Sequence, residues 1–329
     1  MSAPETDPAP ALNNPAREIP LPRHVSPAAQ AILSSPPPPA AQGFPALGDA
    51  PAWRSLVKMG NNTIAQVITP LVADLPVDVE QREFGGINGY YAAPRNLPAD
   101  KGRIVLDIHS GGLIMCGGPL CATMAKLMAG RLDAPLWSPD YRMPPDHPYP
   151  AALDDCLAAY RAVLDRHRPE DIVIAGGSAG GNLAAATILR ARDEGMPLPA
   201  GAILITPEVD LTESGDSFNT NQGLDKALDR LMQVNLLYAN GHDLAHPYLS
   251  PLFGDFATGF PPTILVTGTR DLFLSNTVRM HRALRAAGIR ADLHVVEAAD
   301  HAGFLGTPEQ AAIDAELRQF LAGLWRDRG

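Results

Sequence analysis

Hydrophobic positions along the chain change repeatedly from one spacing to another after residue 103. Short runs of β-branched and small apolar residues alternate with longer segments in which apolar residues recur at helical spacing. This alternation predicts βαβ units and therefore an α/β fold, with a mostly parallel central sheet flanked by helices. The predicted strands are 104–109, 135–138, 172–175, 202–206, 263–267 and 291–296, and the predicted helices are 120–131, 151–165, 179–193, 275–287 and 308–326.

The first part of the chain carries three other patterns. Residues 1–45 contain 12 prolines, which predicts a mostly extended arm with a short helix near 27–33. Residues 77–84 and 89–93 are predicted strands, joined by a glycine pair into an antiparallel edge of the sheet. Between the arm and these strands, a helix over 52–75 is predicted from apolar residues at helical spacing: Trp53, Leu56, Val57, Ile64, Val67, Ile68 and Leu71.

The alternation of strands and helices breaks between Asp210 and Pro261, where no strand is predicted and helical patterns lie around 222–240. An insertion of this length between two strands usually covers a site. With the N-terminal helix, the insertion at about 211–247 is predicted to form a helical cap. The chain is thus divided into a proline-rich arm at 1–45, a cap helix at 46–75 and a catalytic domain at 76–329 that contains the insertion.

A glycine-rich turn, GGSAGGN at residues 176–182, joins a predicted strand to a predicted helix. It contains the pattern G-x-S-x-G, which in this context is a nucleophile elbow centred on Ser178. The serine of such an elbow has a strained backbone, and the positions two residues before and after it have no room for side chains. The free N–H groups of the following helix lie where negative charge develops when a carbonyl is attacked. Ser178 is therefore the candidate nucleophile.

A serine hydroxyl needs a base to take its proton and an acid to orient that base. His301 and Asp271 both follow predicted strands, at the sheet edge where open α/β sheets place their sites, and their order after the serine is that of α/β-hydrolases. His301 is the predicted base and Asp271 the predicted acid. Asp300, Glu208 and Asp210 are alternative acids, each ranked below Asp271.

The loop after the first parallel strand reads His109-Ser110-Gly111-Gly112. Glycines allow backbone N–H groups to approach a negatively charged oxygen without an intervening Cβ. The predicted oxyanion hole is formed by the N–H groups of Gly111, Gly112 and Ala179. His109 is interpreted as a residue that orients the loop rather than as a second base.

Composition excludes several classes of function. The net charge is -10 without a basic cluster, which argues against a nucleic-acid partner. Three cysteines, Cys116, Cys121 and Cys156, have no metal-type spacing and favour a reducing compartment. No apolar run is long enough for a membrane span, and the N-terminus lacks the pattern of a secretory signal. These features predict a cytoplasmic protein.

The segments described above resemble those of the hormone-sensitive-lipase-like esterases, a bacterial branch of the α/β-hydrolase superfamily. Four segments match in order: HSGGL, DYRMPPDHPYPAALDD at 140–155, GGSAGGN, and the pair Asp271 and His301. The similarity extends from about residue 80 to the C-terminus. It implies a helical cap over the site. Three departures from the family pattern are Ser110 for a glycine, Gly177 for an aspartate, and Ala302-Gly303-Phe304 after the histidine; the last two, with residues 268–295, look like the ε-lactone hydrolase subgroup.

These observations predict a serine hydrolase that cleaves short- to medium-chain carboxylic esters through an acyl-enzyme. The predicted partner is a small-molecule ester or lactone, with no cofactor and no metal, and a homo-oligomer is left open. A lactone hydrolase with the same residues is the first alternative, and an amidase is less favoured. A non-catalytic protein that binds a small molecule under the cap is an alternative from a different class, although the retained serine, acid and histidine count against it.

Overall fold

The central feature of the computed structural model is one eight-stranded sheet. The structure describes residues 18–36, 43–97 and 102–326, so predictions for the rest of the proline-rich arm lie outside the described residues. In spatial order the strands are β1, β2, β4, β3, β5, β6, β7 and β8. Their bounds are β1 Val77–Phe84, β2 Ile87–Pro94, β3 Ile104–Ile108, β4 Leu136–Pro139, β5 Ile172–Gly177, β6 Gly201–Ile205, β7 Thr263–Gly268 and β8 Ala291–Val296.

The pairing of the strands follows the predicted division into an antiparallel edge and a parallel centre. β1 and β2 form a hairpin, and β2 pairs antiparallel with β4. All pairs from β4 through β3, β5, β6 and β7 to β8 are parallel. The carboxyl ends of these parallel strands therefore meet at one edge of the sheet, which is where the candidate site residues lie.

Helices cover both faces of the sheet. Their bounds are α1 Pro27–Ser34, α2 Ala50–Val72, α3 Pro119–Leu132, α4 Ala151–Leu164, α5 Ala179–Asp193, α6 Ser217–Thr220, α7 Met232–Ala239, α8 Leu274–Ala286 and α9 Pro308–Arg326. Because neighbouring residues of a strand point to opposite faces, Leu106 and Ile108 pack in the core with α4, α5 and α8, whereas Val105 packs in the core with α3 and α9. After residue 103, and outside the insertion at 211–247, the predicted bounds agree with these to within two residues.

The predicted N-terminal helix is α2, but its apolar stripe is only partly covered. Trp53 is buried, and its indole N–H donates to the carbonyl of Ala46 at 3.0 Å. Val67 and Leu71, which belong to the apolar face that predicted this helix, remain 58 % and 40 % exposed. Among the described residues, no helix is long and apolar enough to cross a membrane.

The helical pattern predicted around 222–240 is wrong over its first half. The segment up to residue 231 is a series of turns, and helix begins only with α7. Gly223 has a φ of 78°, and the Asp225 carboxylate accepts the N–H groups of Ala227 and Leu228 at 3.0 Å. A side chain that bonds to the N–H groups just after it competes with helix formation. The predicted absence of strands in this insertion is confirmed.

Candidate active site

The turn between β5 and α5 has the geometry of a nucleophile elbow. Ser178 has a φ of 54°, in the left-handed region that a non-glycine residue seldom occupies. A methyl group on Gly176 would collide with the carbonyl of Gly180, and one on Gly180 would collide with the carbonyl of Ile108. Both glycines of the motif are therefore required by close backbone contacts, for the reason predicted from the sequence.

The three predicted catalytic residues lie in one continuous chain of hydrogen bonds. The Nε2 atom of His301 is 2.9 Å from the Oγ atom of Ser178, and the Nδ1 atom is 3.0 Å from Oδ1 of Asp271. The side chain of Asp271 is fully buried and that of His301 is 12 % exposed. With its proton on Nδ1 donated to the carboxylate, the imidazole has Nε2 available to accept the serine proton.

Asp271 is held by other contacts. Its Oδ2 atom accepts the Thr267 hydroxyl at 2.7 Å, and its Oδ1 atom also accepts the Phe273 N–H at 2.9 Å. The backbone around it is fixed by Asn221, whose amide donates to the carbonyls of Thr269 and Asp271. Every oxygen of this carboxylate therefore has a partner that fixes its orientation.

A second carboxylate, Asp225, contacts the backbone on either side of the site. Its Oδ2 atom accepts the N–H of Leu272 at 2.8 Å and that of His301 at 3.3 Å. Asp225 thus connects the loop after β7 to the loop after β8. Burial raises its pKa to about 6, although the neighbouring His301 lowers it. Sequence reasoning missed this residue because it lies in the segment that was interpreted as helix.

The charges around His301 favour its protonated form. Burial lowers the pKa of the imidazole, but the adjacent Asp271, and then Asp225 and Glu208, outweigh that effect, so the pKa lies above its ordinary value of 6.5. A base with a raised pKa accepts the serine proton more readily, provided that the pH is high enough to keep it neutral.

The predicted oxyanion donors come from two places: Gly111 and Gly112 lie in the loop after β3, and Ala179 follows Ser178 in the elbow. Gly111 and Gly112 have φ values of 131° and 58°, and a methyl group on Gly111 would collide with the carbonyl of Met115. Within residues 18–36, 43–97 and 102–326, the N–H groups of Gly111, Gly112 and Ala179 donate to no protein acceptor. Both glycines, with Ser178, line one cavity. Unpaired N–H groups at such a place are available to a substrate oxygen.

The loop that carries these glycines is held from behind. The ring of buried His109 stacks on Tyr141 at 4.1 Å, and the Tyr141 hydroxyl donates to the His109 carbonyl at 2.8 Å. Burial lowers the pKa of His109 to about 4, so the ring is neutral. Asp140 accepts the Gly118 N–H at 2.9 Å, beyond the glycines. The DYR segment therefore supports the loop, and His109 has the surroundings of an orienting residue.

The three alternative acids lie elsewhere. Asp210 is paired with Arg279 at 2.7 Å, and Asp300 accepts the N–H of Ala302 at 3.1 Å. Glu208 is buried, and neither of its oxygens has a hydrogen-bond partner among the described residues. Burial raises the pKa of Glu208 to about 8. None of the three contacts the Nδ1 atom of His301, which Asp271 occupies.

One group of residues in the described ranges has metal-ligand types close together. Potential ligand atoms of His109, Cys121 and Asp140 lie within 4.8 Å of one another. Burial raises the pKa of the Cys121 thiol well above its usual value, so it is protonated, whereas metal binding requires the thiolate. Asp140 is already engaged with Gly118. This group is therefore poorly suited to a metal ion.

A cavity of about 380 Å³ connects the elbow to the interior. Its lining includes Ile64 and Ile68 of α2 and Leu228 and Leu231 of the insertion. From Ser178 it extends along the face of the sheet that α3 and α9 cover, and most of its lining is apolar. Its volume is in the range of pockets for small organic molecules.

The fold and this arrangement define a hydrolase, and comparison with known proteins identifies the family. Residues 105–305 match a protein family whose description is 'alpha/beta hydrolase fold', and the chain belongs to this family. The chain is 34 % identical over 251 residues to an acetyl-hydrolase of Streptomyces hygroscopicus, covering 72 % of this chain and 82 % of that protein. It is 28 % identical over 244 residues to an esterase of Acinetobacter venetianus, covering 72 % and 79 %.

Solved structures show the same relationship. The crystal structure of esterase E25 matches 95 % of this chain and 98 % of its own, with a TM-score of 0.89 and 34 % identity. The hormone-sensitive-lipase homologue EstE7, from a metagenome library, matches 84 % and 97 %, with a TM-score of 0.69 and 28 % identity. The predicted fold, the family of hormone-sensitive-lipase-like esterases and the class of carboxylic-ester hydrolase are confirmed.

Proposed function

We propose that this esterase cleaves short- to medium-chain acyl esters through an acyl-enzyme formed on Ser178. The observation that supports this most directly is the chain of hydrogen bonds from Ser178 through His301 to Asp271. Each residue then has a distinct role as nucleophile, base and orienting acid.

In the first half of the reaction, the Oγ atom of Ser178 attacks the ester carbonyl while its proton moves to Nε2 of His301. The carbonyl oxygen becomes an oxyanion and accepts the N–H groups of Gly111, Gly112 and Ala179. The imidazolium formed is stabilised by Asp271 and gives its proton to the leaving alcohol. In the second half, His301 takes a proton from water as the water oxygen attacks the acyl carbon. The acyl–Oγ bond then breaks, His301 returns the proton to Ser178, and the acid is released.

The size of the acyl group follows from the cavity. A volume of about 380 Å³ with an apolar lining fits a short to medium chain better than a long one. We also propose that α2 and the insertion at 211–247 act as a cap, because both contribute residues to the cavity lining: Ile64, Ile68, Leu228 and Leu231.

Labelling with a fluorophosphonate, followed by mass spectrometry of the intact protein and its peptides, tests this assignment. We expect one adduct, on Ser178, and a loss of at least about 10⁴-fold in kcat/KM for Ser178→Ala on p-nitrophenyl butyrate. Ser55→Ala, at an exposed serine of α2, is the matched control and is expected to react like the wild type. Protein that takes up no label would favour a binding protein without catalysis.

A panel of p-nitrophenyl esters of increasing chain length, measured beside six- and seven-membered lactones, then defines the substrate. We expect the highest kcat/KM on short and medium acyl chains. Faster hydrolysis of the lactones would assign the alternative activity to the same residues.

A further inference from the structure

The cavity is lined by a buried carboxyl group that the reaction does not use. Asp107 lies on β3, is 2 % exposed and lines the cavity. No hydrogen bond or ion pair joins its side chain to any described residue, and its Oδ1 atom is fully buried without a partner. A buried polar group without a partner destabilises a fold, and a charged one does so more strongly. Asp107 is therefore not explained by packing.

The depth of Asp107 follows from the register of the sheet. It pairs with Ala175 of β5, three residues before Ser178. Because a parallel strand rises by about 3.3 Å per residue, the carboxyl lies roughly 10 Å from the nucleophile along the strand direction. Its side chain is on the same face as Val105, towards α3 and α9, which is the face along which the cavity extends.

Arg131 of α3 supplies a positive charge in the same cavity. Its Nε atom donates to Asp314 at 2.9 Å, and Gln310 donates to the same oxygen, so the guanidinium is held in place. Arg131 also lines the cavity, and its terminal amino groups donate to no described residue. The Arg131 and Asp107 side chains do not form a salt bridge, so more than 4.0 Å separates their charged atoms. Both side chains line the same cavity.

We propose that Asp107 and Arg131 form a subsite that binds a hydroxyl group at the far end of the acyl chain, so that ω-hydroxyacyl esters are preferred substrates. A hydroxyl group donates one hydrogen bond and accepts others, so it donates to Asp107 and accepts from Arg131. A methyl group in the same place would leave both polar side chains without partners. The proposal rests on the ester hydrolysis proposed above and names its substrate class.

Burial raises the pKa of Asp107 to about 7, while Arg131 lowers it. The carboxyl therefore exists in both protonation states near neutral pH, and in each state it retains an oxygen that accepts a hydroxyl proton. The subsite thus functions on both sides of this titration.

The subsite has a consequence for cyclic esters. When Ser178 attacks a lactone, the ring C–O bond breaks, the acyl–Oγ bond forms, and His301 passes the serine proton to the ring oxygen. The acyl-enzyme then carries a terminal hydroxyl group. Holding this group at Asp107, away from the acyl carbonyl, prevents it from closing the ring again, so that water completes the reaction. The same two residues therefore serve open-chain hydroxy esters and lactones.

The test compares p-nitrophenyl 8-hydroxyoctanoate with p-nitrophenyl nonanoate, which replaces the hydroxyl group by a methyl group of similar size. We expect wild-type kcat/KM to be about tenfold higher for the hydroxy ester. Asp107→Leu makes this part of the cavity lining apolar, and we expect it to bring the ratio of the two kcat/KM values to one or below. The ratio is measured on one protein sample, so the fraction of active enzyme cancels.

Glu208→Gln is the matched control, because it alters another buried carboxyl without a partner that does not line the cavity. Its ratio should equal that of the wild type. If Asp107→Leu does not fold, Asp107→Ala replaces it, because it also removes both oxygens, and the ratio is expected to fall at least threefold. Equal wild-type rates on the two chains, or a ratio that survives both Asp107 variants, would overturn the subsite. Absence of hydrolysis of every ester would instead overturn the proposed function.

Discussion

Two sets of carboxyl groups near Ser178 differ in their hydrogen bonds. One set belongs to the loops that hold His301, which we call the mouth, and the other is Asp107 in the cavity lining, which we call the floor. At the mouth, all four oxygens of Asp271 and Asp225 accept hydrogen bonds from the protein. At the floor, Asp107 has no such bond to any described residue. A carboxylate surrounded by donors orients other groups, whereas one without donors is available to a ligand. The comparison indicates that the mouth is built for one fixed reaction geometry and the floor for selection among substrates.

Removing the charge of Asp271 is expected to have the largest effect among the changes at the mouth. In Asp271→Asn, the remaining oxygen still accepts from His301 and Phe273, and the new amide can donate to Thr267, so the geometry is kept. The imidazolium loses its counter-charge, and we expect kcat/KM to fall about 10³- to 10⁴-fold. Steady-state kinetics on p-nitrophenyl butyrate measure the effect.

Asp300→Asn is the control for that experiment, because Asp300 adjoins His301 in sequence but bonds to Ala302. We expect it to lose less than about tenfold, within the range of an indirect change in a hydrogen bond. A larger loss for Asp300→Asn than for Asp271→Asn would exchange the roles of the two acids.

Asp225 tests whether the mouth depends on a residue that does not touch the reacting atoms. Asp225→Asn places an amide against the N–H groups of Leu272 and His301, so the loop that carries the base shifts. We expect kcat to fall about 10- to 100-fold with little change in KM, and the pH midpoint of kcat/KM to move down, because Asp225 raises the pKa of His301. A fall in kcat with an unchanged midpoint would indicate a purely structural role.

The wild-type pH profile tests the charges at the mouth directly. Protonated His301 cannot accept the serine proton, so activity should be absent at low pH and rise as the imidazole becomes neutral. Because its pKa is raised, the midpoint of kcat/KM should lie above the ordinary histidine value of about 6.5. Measurement from pH 5 to 9 is sufficient, and a flat profile would contradict a histidine base.

Glu208 is a third case to set beside Asp271 and Asp107. Its carboxyl group has no hydrogen-bond partner among the described residues, as in Asp107, but it does not line the cavity. Its pKa is about 8 in the folded protein against an ordinary 4.5, so the folded state binds the extra proton between these values and stability falls as the pH rises through this window. The loss is at most about 1.4 kcal/mol per pH unit for one proton. Glu208→Gln avoids it.

Thermal unfolding of the two proteins measures this difference. We expect similar Tm values at pH 5 and a Tm for Glu208→Gln that is higher by about 5 °C at pH 9. The titration of Asp107 is present in both proteins and cancels in the comparison. A Tm difference that does not change with pH would show that Glu208 does not titrate in this range.

The parts of the site that the sequence predicts are those next to strands. Ser178, Asp271 and His301 each follow a short apolar run, and glycines mark the turns around the serine, so both fold and position can be inferred locally. Asp225 could not be inferred in this way. Leu224, Leu228 and Leu231 around it have helical spacing, and the bonds of the Asp225 side chain that prevent a helix are visible only in three dimensions.

Asp107 illustrates a second limit. In the sequence it is one polar residue within the strand run IVLDI, and the pattern does not distinguish a paired from an unpaired carboxyl. Its exposure to the cavity depends on how α3 and α9 pack across the sheet, which is a tertiary property. Arg131 has the same limit, because its partner Asp314 lies 183 positions away.

The contact between Gly180 and the end of β3 links two features that are distant in the chain. Gly180 lies in the first turn of α5, behind the serine. It contacts the carbonyls of Ile108 and His109, which lead directly into Gly111 and Gly112. A side chain at position 180 would push the attacking hydroxyl away from the amides that stabilise the anion. The spacing between the group that makes the new bond and the groups that hold its charge is thus set by a single hydrogen atom, the smallest side chain available.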